Sequence, residues 1–187
     1  DVVEISDSYA FGFHTAGIMI DGEIYTVHPE PVEKAPIPLR DILQPEEEVA
    51  EEFYLNEAAI EKFGYLRGPK KIERTSAEGH KYIYSEGGMS PTDDLNLPGR
   101  TMLTSEGTVN RSSHIVEVNG RKRYLTPIEC ERLNGFDDNW TEGMPKRMRY
   151  FCMGNALVVD LIRDMAVKIK KIDLEEKEDF VQISLEF

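Results

Sequence analysis

The sequence is short of the residues that staple, anchor or metallate a protein. Two cysteines in 187 residues, Cys130 and Cys152, cannot make a framework of several disulfides. Their spacing suits no zinc site, and a reducing, cytoplasmic setting is the expected one. No run approaches the roughly 20 apolar residues that a bilayer crossing needs, and no basic and apolar leader opens the chain, so a soluble protein is expected. His14, His28, His80 and His114 stand far apart and form no metal-ligand spacing. There is no G-x-S-x-G, no G-x-G-x-x-G and no P-loop, so three common catalytic and nucleotide-binding plans are excluded. The first residue is Asp1 rather than methionine, which reads as an excised or processed piece of something longer.

Positive charge is also scarce. Lys and Arg number 22 against 35 Asp and Glu, a net −13 that argues at first against a polyanion partner. An acidic interaction protein with no DNA role rests on that total alone. The distribution says more: residues 1–66 carry 15 acidic and 3 basic side chains, whereas residues 67–123 carry 7 acidic and 10 basic. The middle third is the candidate polyanion face, with a merely solvated loop as the plainer reading of Lys70, Lys71 and Arg74.

The length allows one medium domain or two small ones with a sizeable core. Asp21-Gly22, between apolar runs in GIMIDGEIYTV, signals a hairpin. Pro29 to Pro38 keep the next stretch irregular until a short helix or turn near Leu39–Leu43. Pro45 and three glutamates suit a helix start, with Asn56 dividing the run through Phe63. Residues 64–99 carry little regular structure apart from the strand-like HKYIYSE at 80–86. RTMLT at 100–104 and HIVEV at 114–118 read as strands, and Asn119-Gly120 turns the second into RKRYL. The last residues, KIDLEEKEDFVQISLEF, read as an added edge strand or a disordered end.

RYLTPIECERLNGF carries a complete helix specification. Thr126 is the N-cap, Pro127 sits where a missing N–H is harmless, Glu129 closes a capping box, and Gly135 ends the helix in a left-handed turn. Cys130 lies in the first turn, yet Glu129 and Glu131 flank it and disfavour a thiolate, so it reads as a packed apolar side chain rather than a nucleophile. A second helical region spans about 146–170, interrupted at Gly154-Asn155.

RKRYLTPIECERLNGFDDNW resembles the ninth motif of the DNA cytosine-5 methyltransferases, at Arg123, Leu125, Thr126, Pro127, Glu129, Arg132, Leu133, Gly135, Phe136 and Asp138. GNALV is similar to the tenth motif at Gly154, Asn155, Ala156 and Val158, and Pro98, Arg100, Thr101 and Thr104 fit the end of the family's target recognition domain. Bacterial members of restriction-modification type are the nearest in character, which implies a bacterial cytoplasm. The family's S-adenosylmethionine loop, Pro-Cys nucleophile, Glu-Asn-Val and Gln-x-Arg-x-Arg motifs are absent.

The resemblance implies an α+β chain: an irregular, β-rich target recognition domain over 1–122, then a segment at 123–170 that completes a Rossmann-like S-adenosylmethionine-dependent methyltransferase domain, then an acidic tail at 171–187. It implies the C-terminal part of an enzyme that flips a cytosine from duplex DNA, adds a Cys thiolate at C6 and methylates C5. Both catalytic residues would lie elsewhere, in the N-terminal half, as the same chain or a separate subunit, and this chain alone would be inactive. Arg67, Lys70, Lys71, Arg74 and Lys81 are the implied phosphate contacts, and Arg100, Thr101, Thr104 and Arg111 sit near bases or the adjoining backbone. Gly154, Asn155, Ala156 and Leu157 would border the cofactor, against a purely structural helix break. A noncatalytic DNA-binding or assembly module of the same architecture fits the same residues.

Overall fold

The structure, a computed structural model, describes residues 16–185. It divides into two compact units between Ala35 and Pro36. The first holds the hairpin expected at Asp21-Gly22: β1 (Ala16–Ile20) pairs antiparallel with β2 (Glu23–Val27). Asp21 and Gly22 take φ of 51° and 85°, the two left-handed residues of a type I′ turn. His14 lies outside the described residues.

The second unit opens irregularly. Pro45 and its glutamates do not start an α-helix; short 3-10 turns form instead at Leu39–Asp41, Glu46–Glu48 and Glu51–Phe53. The reason is tertiary. Tyr54 bridges to Arg123 as a strand would, and the Leu55 N–H donates to the Lys122 carbonyl at 2.9 Å, which draws this stretch out of helical geometry. The α-helix waits for Asn56, whose Oδ1 accepts from the Ala59 N–H at 2.9 Å and opens α1 (Glu57–Arg67).

The strand-like HKYIYSE is β4 (Lys81–Glu86), and its partner is KKIERT, β3 (Lys70–Thr75), in a register that sets Lys70 opposite Glu86. β5 (Ile115–Val118) and β6 (Arg121–Tyr124) form the hairpin expected at Asn119-Gly120. Three helices follow: α2 (Pro127–Leu133), α3 (Lys146–Asn155) and α4 (Val159–Leu185). The break between α3 and α4 falls where Gly154-Asn155 predicts it. RTMLT is not a strand. It runs as irregular chain with no ladder partner, its Leu103–Thr104 peptide pressed against the backbone of Gly154 in α3. The tail is not an edge strand either, since α4 continues to Leu185 and is supported by Lys171–Glu175 and Asp173–Lys177 pairs four residues apart.

Among the described residues every strand pairing is antiparallel, and helices and hairpins together make an α+β arrangement. The core gathers Leu39, Ile42, Met102 and Val116 with Leu125, Cys130, Tyr150 and Met153. It therefore draws equally on residues before and after position 122. No helix among the described residues is long and apolar enough to cross a membrane.

Candidate functional site

The site is built around α2. Thr126 and Glu129 make the expected capping box, and Gly135, with φ of 79°, ends the helix while the Phe136 N–H donates back to the Glu131 carbonyl at 2.9 Å. Glu129 does more than cap. Fully buried, it accepts from the Arg123 guanidinium through both oxygens, each at 2.8 Å, from the Thr126 N–H at 2.8 Å and from the Gln44 N–H at 2.9 Å. Arg132 donates to the Ile42 and Leu43 carbonyls, each at 3.1 Å, and pairs with Asp138. Glu129 and Arg132 thus clasp the stretch 42–44, and Glu131 holds Thr141 and Arg149, rather than face a substrate.

Cys130 is fully buried, and burial, followed by the carboxylates of Glu106, Glu129 and Glu131, pushes its thiol well above the ordinary value. A thiol held protonated in a core is no nucleophile.

Several cations expected on DNA point inward. Arg67 is 2% exposed and spends its donors on the Ser90 carbonyl at 2.9 Å, the Ser113 carbonyl at 2.5 Å and Asp93 at 3.0 Å. It cannot reach a phosphate. Arg100 donates to Asp93 at 2.6 Å and to the Ser112 and Ser113 carbonyls, while Arg111 reaches the Leu66 carbonyl at 2.6 Å, the Gly87 carbonyl at 2.5 Å and Glu86. Lys70 is closed in by the Leu66 carbonyl at 2.7 Å and Glu86 at 3.0 Å. Loops without regular structure leave carbonyls unpaired, and a guanidinium, with five donors in a fixed fork, can bind several of them at once. Arg67, Lys70 and Arg111 therefore brace the loops from within, and Arg100, about a third exposed, ties the same carboxylate and carbonyls from the edge of the cleft described below.

Asp93 is the carboxylate on which that brace converges, and nothing in the local sequence distinguishes it from an ordinary loop residue. It also accepts from the Ile115 N–H at 2.8 Å. Burial acts to raise its pKa, but the bonds from Arg100, the Ile115 N–H and Arg67 outweigh it and hold the carboxyl below the usual range. The buried neighbours Glu106 and His114, 3.3 Å apart between Oε2 and Nδ1, carry no sequence signal of their own either.

Lys71, Arg74 and Lys81 remain at the surface, on the β3–β4 hairpin. Arg74 lies 4.0 Å above the Tyr84 ring, and Lys81 is 75% exposed beside Glu73. Thr104 is exposed, at the start of the polar loop that follows.

The residues implied at the cofactor meet in a cleft of about 350 Å³, lined by Gly154, Ala156 and Leu157 together with Arg100 and Thr101, Leu133 and Asn134. Asn134 shapes it by donating to the Met153 carbonyl at 2.8 Å and accepting the Val159 N–H at 2.8 Å. Asn155 is exposed at the lip, its amide bonded to the Phe151 carbonyl at 3.0 Å. Two stretches far apart in sequence, 99–102 and 153–158, thus form one apolar and backbone-lined wall. Among the described residues no group of His, Cys, Asp or Glu could hold a metal ion.

A model of the C-5 cytosine-specific DNA methylase family matches residues 19–171. The chain belongs to that family. It is 56% identical over 185 residues to the type II methyltransferase M.Sau3AI of Staphylococcus aureus, a match that takes in 99% of this chain and 44% of that protein. The methylase chain thus spans less than half the length of this curated relative. A solved structure of the Entamoeba histolytica methyltransferase EhMeth is similar at 17% identity and a TM-score of 0.42, over 72% of this chain and 42% of its own. In the frame of the cytosine methylases, the residues Arg123 to Asp138 that carried the sequence resemblance are the ones that assemble the clasp of α2.

Proposed function

We propose that this chain is the C-terminal share of a DNA cytosine-5 methyltransferase of restriction-modification type, reading a short duplex site with residues between 67 and 113 and completing the S-adenosylmethionine pocket with residues 123–170. The observation that carries this reading is the cleft at which Thr101, from the recognition stretch, meets the Gly154–Leu157 turn. The wall fits one side of such a pocket. Ala156 and Leu157 offer apolar surface and backbone groups, and the exposed Asn155 side chain would exchange its bond to the Phe151 carbonyl for one to a ligand. S-adenosylmethionine would supply the methyl group. The nucleophile comes from the N-terminal half, because Cys130 is sealed in the core and Cys152 follows no proline.

On the DNA side, Lys71, Arg74 and Lys81 make phosphate contacts, Thr101 and Thr104 lie nearer the bases, and Arg67, Lys70, Arg100 and Arg111 hold the loops in shape. Phosphate contacts position a protein without specifying sequence and are recognised by their salt dependence. Replacing Lys71 and Lys81 together by alanine should lower the slope of log affinity against log salt by about 2, roughly one for each phosphate that is no longer neutralised. Binding titrations at several salt concentrations measure it, and an unchanged slope removes these two residues from the interface.

The whole reading is tested by combining the chain with its N-terminal half and labelled S-adenosylmethionine, then measuring methyl transfer to duplexes of varied sequence. Transfer to cytosine in one short site is the expected result. DNA binding without transfer, under conditions where an intact relative works, would leave the noncatalytic module as the better reading.

A further inference from the structure

We propose that Gly154 and Gly107 are positioning residues for DNA recognition: at these two points of close approach α3 seats the loop 103–111, so that the cofactor-facing turn and the DNA-reading loop move as one piece. The proposal rests on the functional reading above.

At the first point, a Cβ on Gly154 would lie 2.4 Å from both the Leu103 carbonyl carbon and the Thr104 nitrogen. Those are backbone atoms, which cannot swing aside as a side chain can. At the second, a Cβ on Gly107 would lie 2.4 Å from Cε2 of Tyr150. Gly107 also holds a φ of 73°, where a side chain is strained. The ring it meets is fixed, since Tyr150 is 5% exposed and its hydroxyl donates to the Leu125 carbonyl at 2.7 Å.

Tyr150 and Gly154 stand four residues apart on α3, hence on one face of the helix. That face meets the loop at both points. Between them the loop is tied within itself: the Glu106 N–H donates to the Leu103 carbonyl at 3.1 Å and the Thr108 hydroxyl to the Ser105 carbonyl at 2.6 Å. A self-bonded loop in close contact with a helix follows that helix, because close-packed interfaces transmit displacement rather than absorb it. The Gly-Asn turn that ends α3 therefore has two tasks, a wall for the cofactor on one side and a seat for the recognition loop on the other. The second accounts for glycine at 154, where the added Cβ would strike the loop backbone.

In the complete methyltransferase, Gly154→Ala should raise the KM for duplex DNA by about tenfold, within the range for residues that couple two sites, in addition to any change in the KM for S-adenosylmethionine. A change in the cofactor KM with the DNA KM untouched would overturn the proposal. Should the variant fail to fold, the wild-type protein carries the test through amide hydrogen exchange. Saturating S-adenosylmethionine should slow exchange at residues 106–110, which do not line the cleft, together with 154–157. Slowing confined to the cleft residues would equally overturn it. Failure of the functional reading looks different, as the wild-type protein would then transfer no methyl group to DNA. In that case the seat stands if Gly154→Ala in this chain accelerates exchange at residues 103–107, and falls if exchange there is unchanged.

Discussion

Replacing Asp93 by alanine should cost about 3–5 kcal/mol of stability, because it leaves the Arg67 guanidinium buried without its carboxylate. Arg67 is 2% exposed, and Arg100 and the Ile115 N–H lose the same acceptor. Urea denaturation of the wild type and the variant measures the difference, and a loss under 1 kcal/mol would mean that the buried arginine finds another partner. The same carboxylate sets a pH dependence. Its pKa is lower in the folded chain than in the unfolded one, so the stabilisation is complete above the unfolded value near 4 and is lost as pH falls through the folded value. Stability should therefore decline in acid, and the Asp93→Ala variant should decline less steeply over that window.

The second large effect is expected at Glu129. Glu129→Ala removes the acceptor for both guanidinium bonds of Arg123 and for two backbone N–H groups, at a cost again of about 3–5 kcal/mol. Pairing Glu129→Leu with Arg123→Met should recover much of that loss, since an apolar pair removes the stranded charge. Recovery is incomplete because the Thr126 and Gln44 N–H groups stay unpaired, at about 1–3 kcal/mol each. A double variant no better than Glu129→Ala alone would show that the N–H groups, not the buried charge, carry the penalty.

What could be read from the sequence was local. Thr126, Pro127, Glu129 and Gly135 specify α2 within ten residues, and each does in the structure what its chemistry predicts. Asn119-Gly120 is equally self-contained. KKIERT escapes notice because charges stand on both faces of that strand, leaving no alternation to detect, and only pairing with β4 makes it a strand. RTMLT misleads in the opposite way, with β-forming residues and no partner within reach. For the candidate site, the Gly-Asn turn was legible as a motif and its cleft was not, since the rest of the same wall comes from residues about fifty positions upstream. The inward aim of Arg67 and Arg111 was hidden for a similar reason. A guanidinium reads the same in sequence whether it faces phosphate or a ring of loop carbonyls.

The clasp of α2 on the stretch 42–44 also sets an order of events during synthesis. Gln44 waits for Glu129, 85 residues later, and Ile42 for Arg132, 90 residues later. Loops of that length close slowly, because many non-local contacts must form together before any repays the entropy of closure. While the chain emerges from the ribosome, Ile42 and Gln44 lack these two partners until the ninth-motif helix has been made. The conformation of residues 42–44 is thus dictated from far downstream, and translation stopped before residue 132 would leave the clasp unmade.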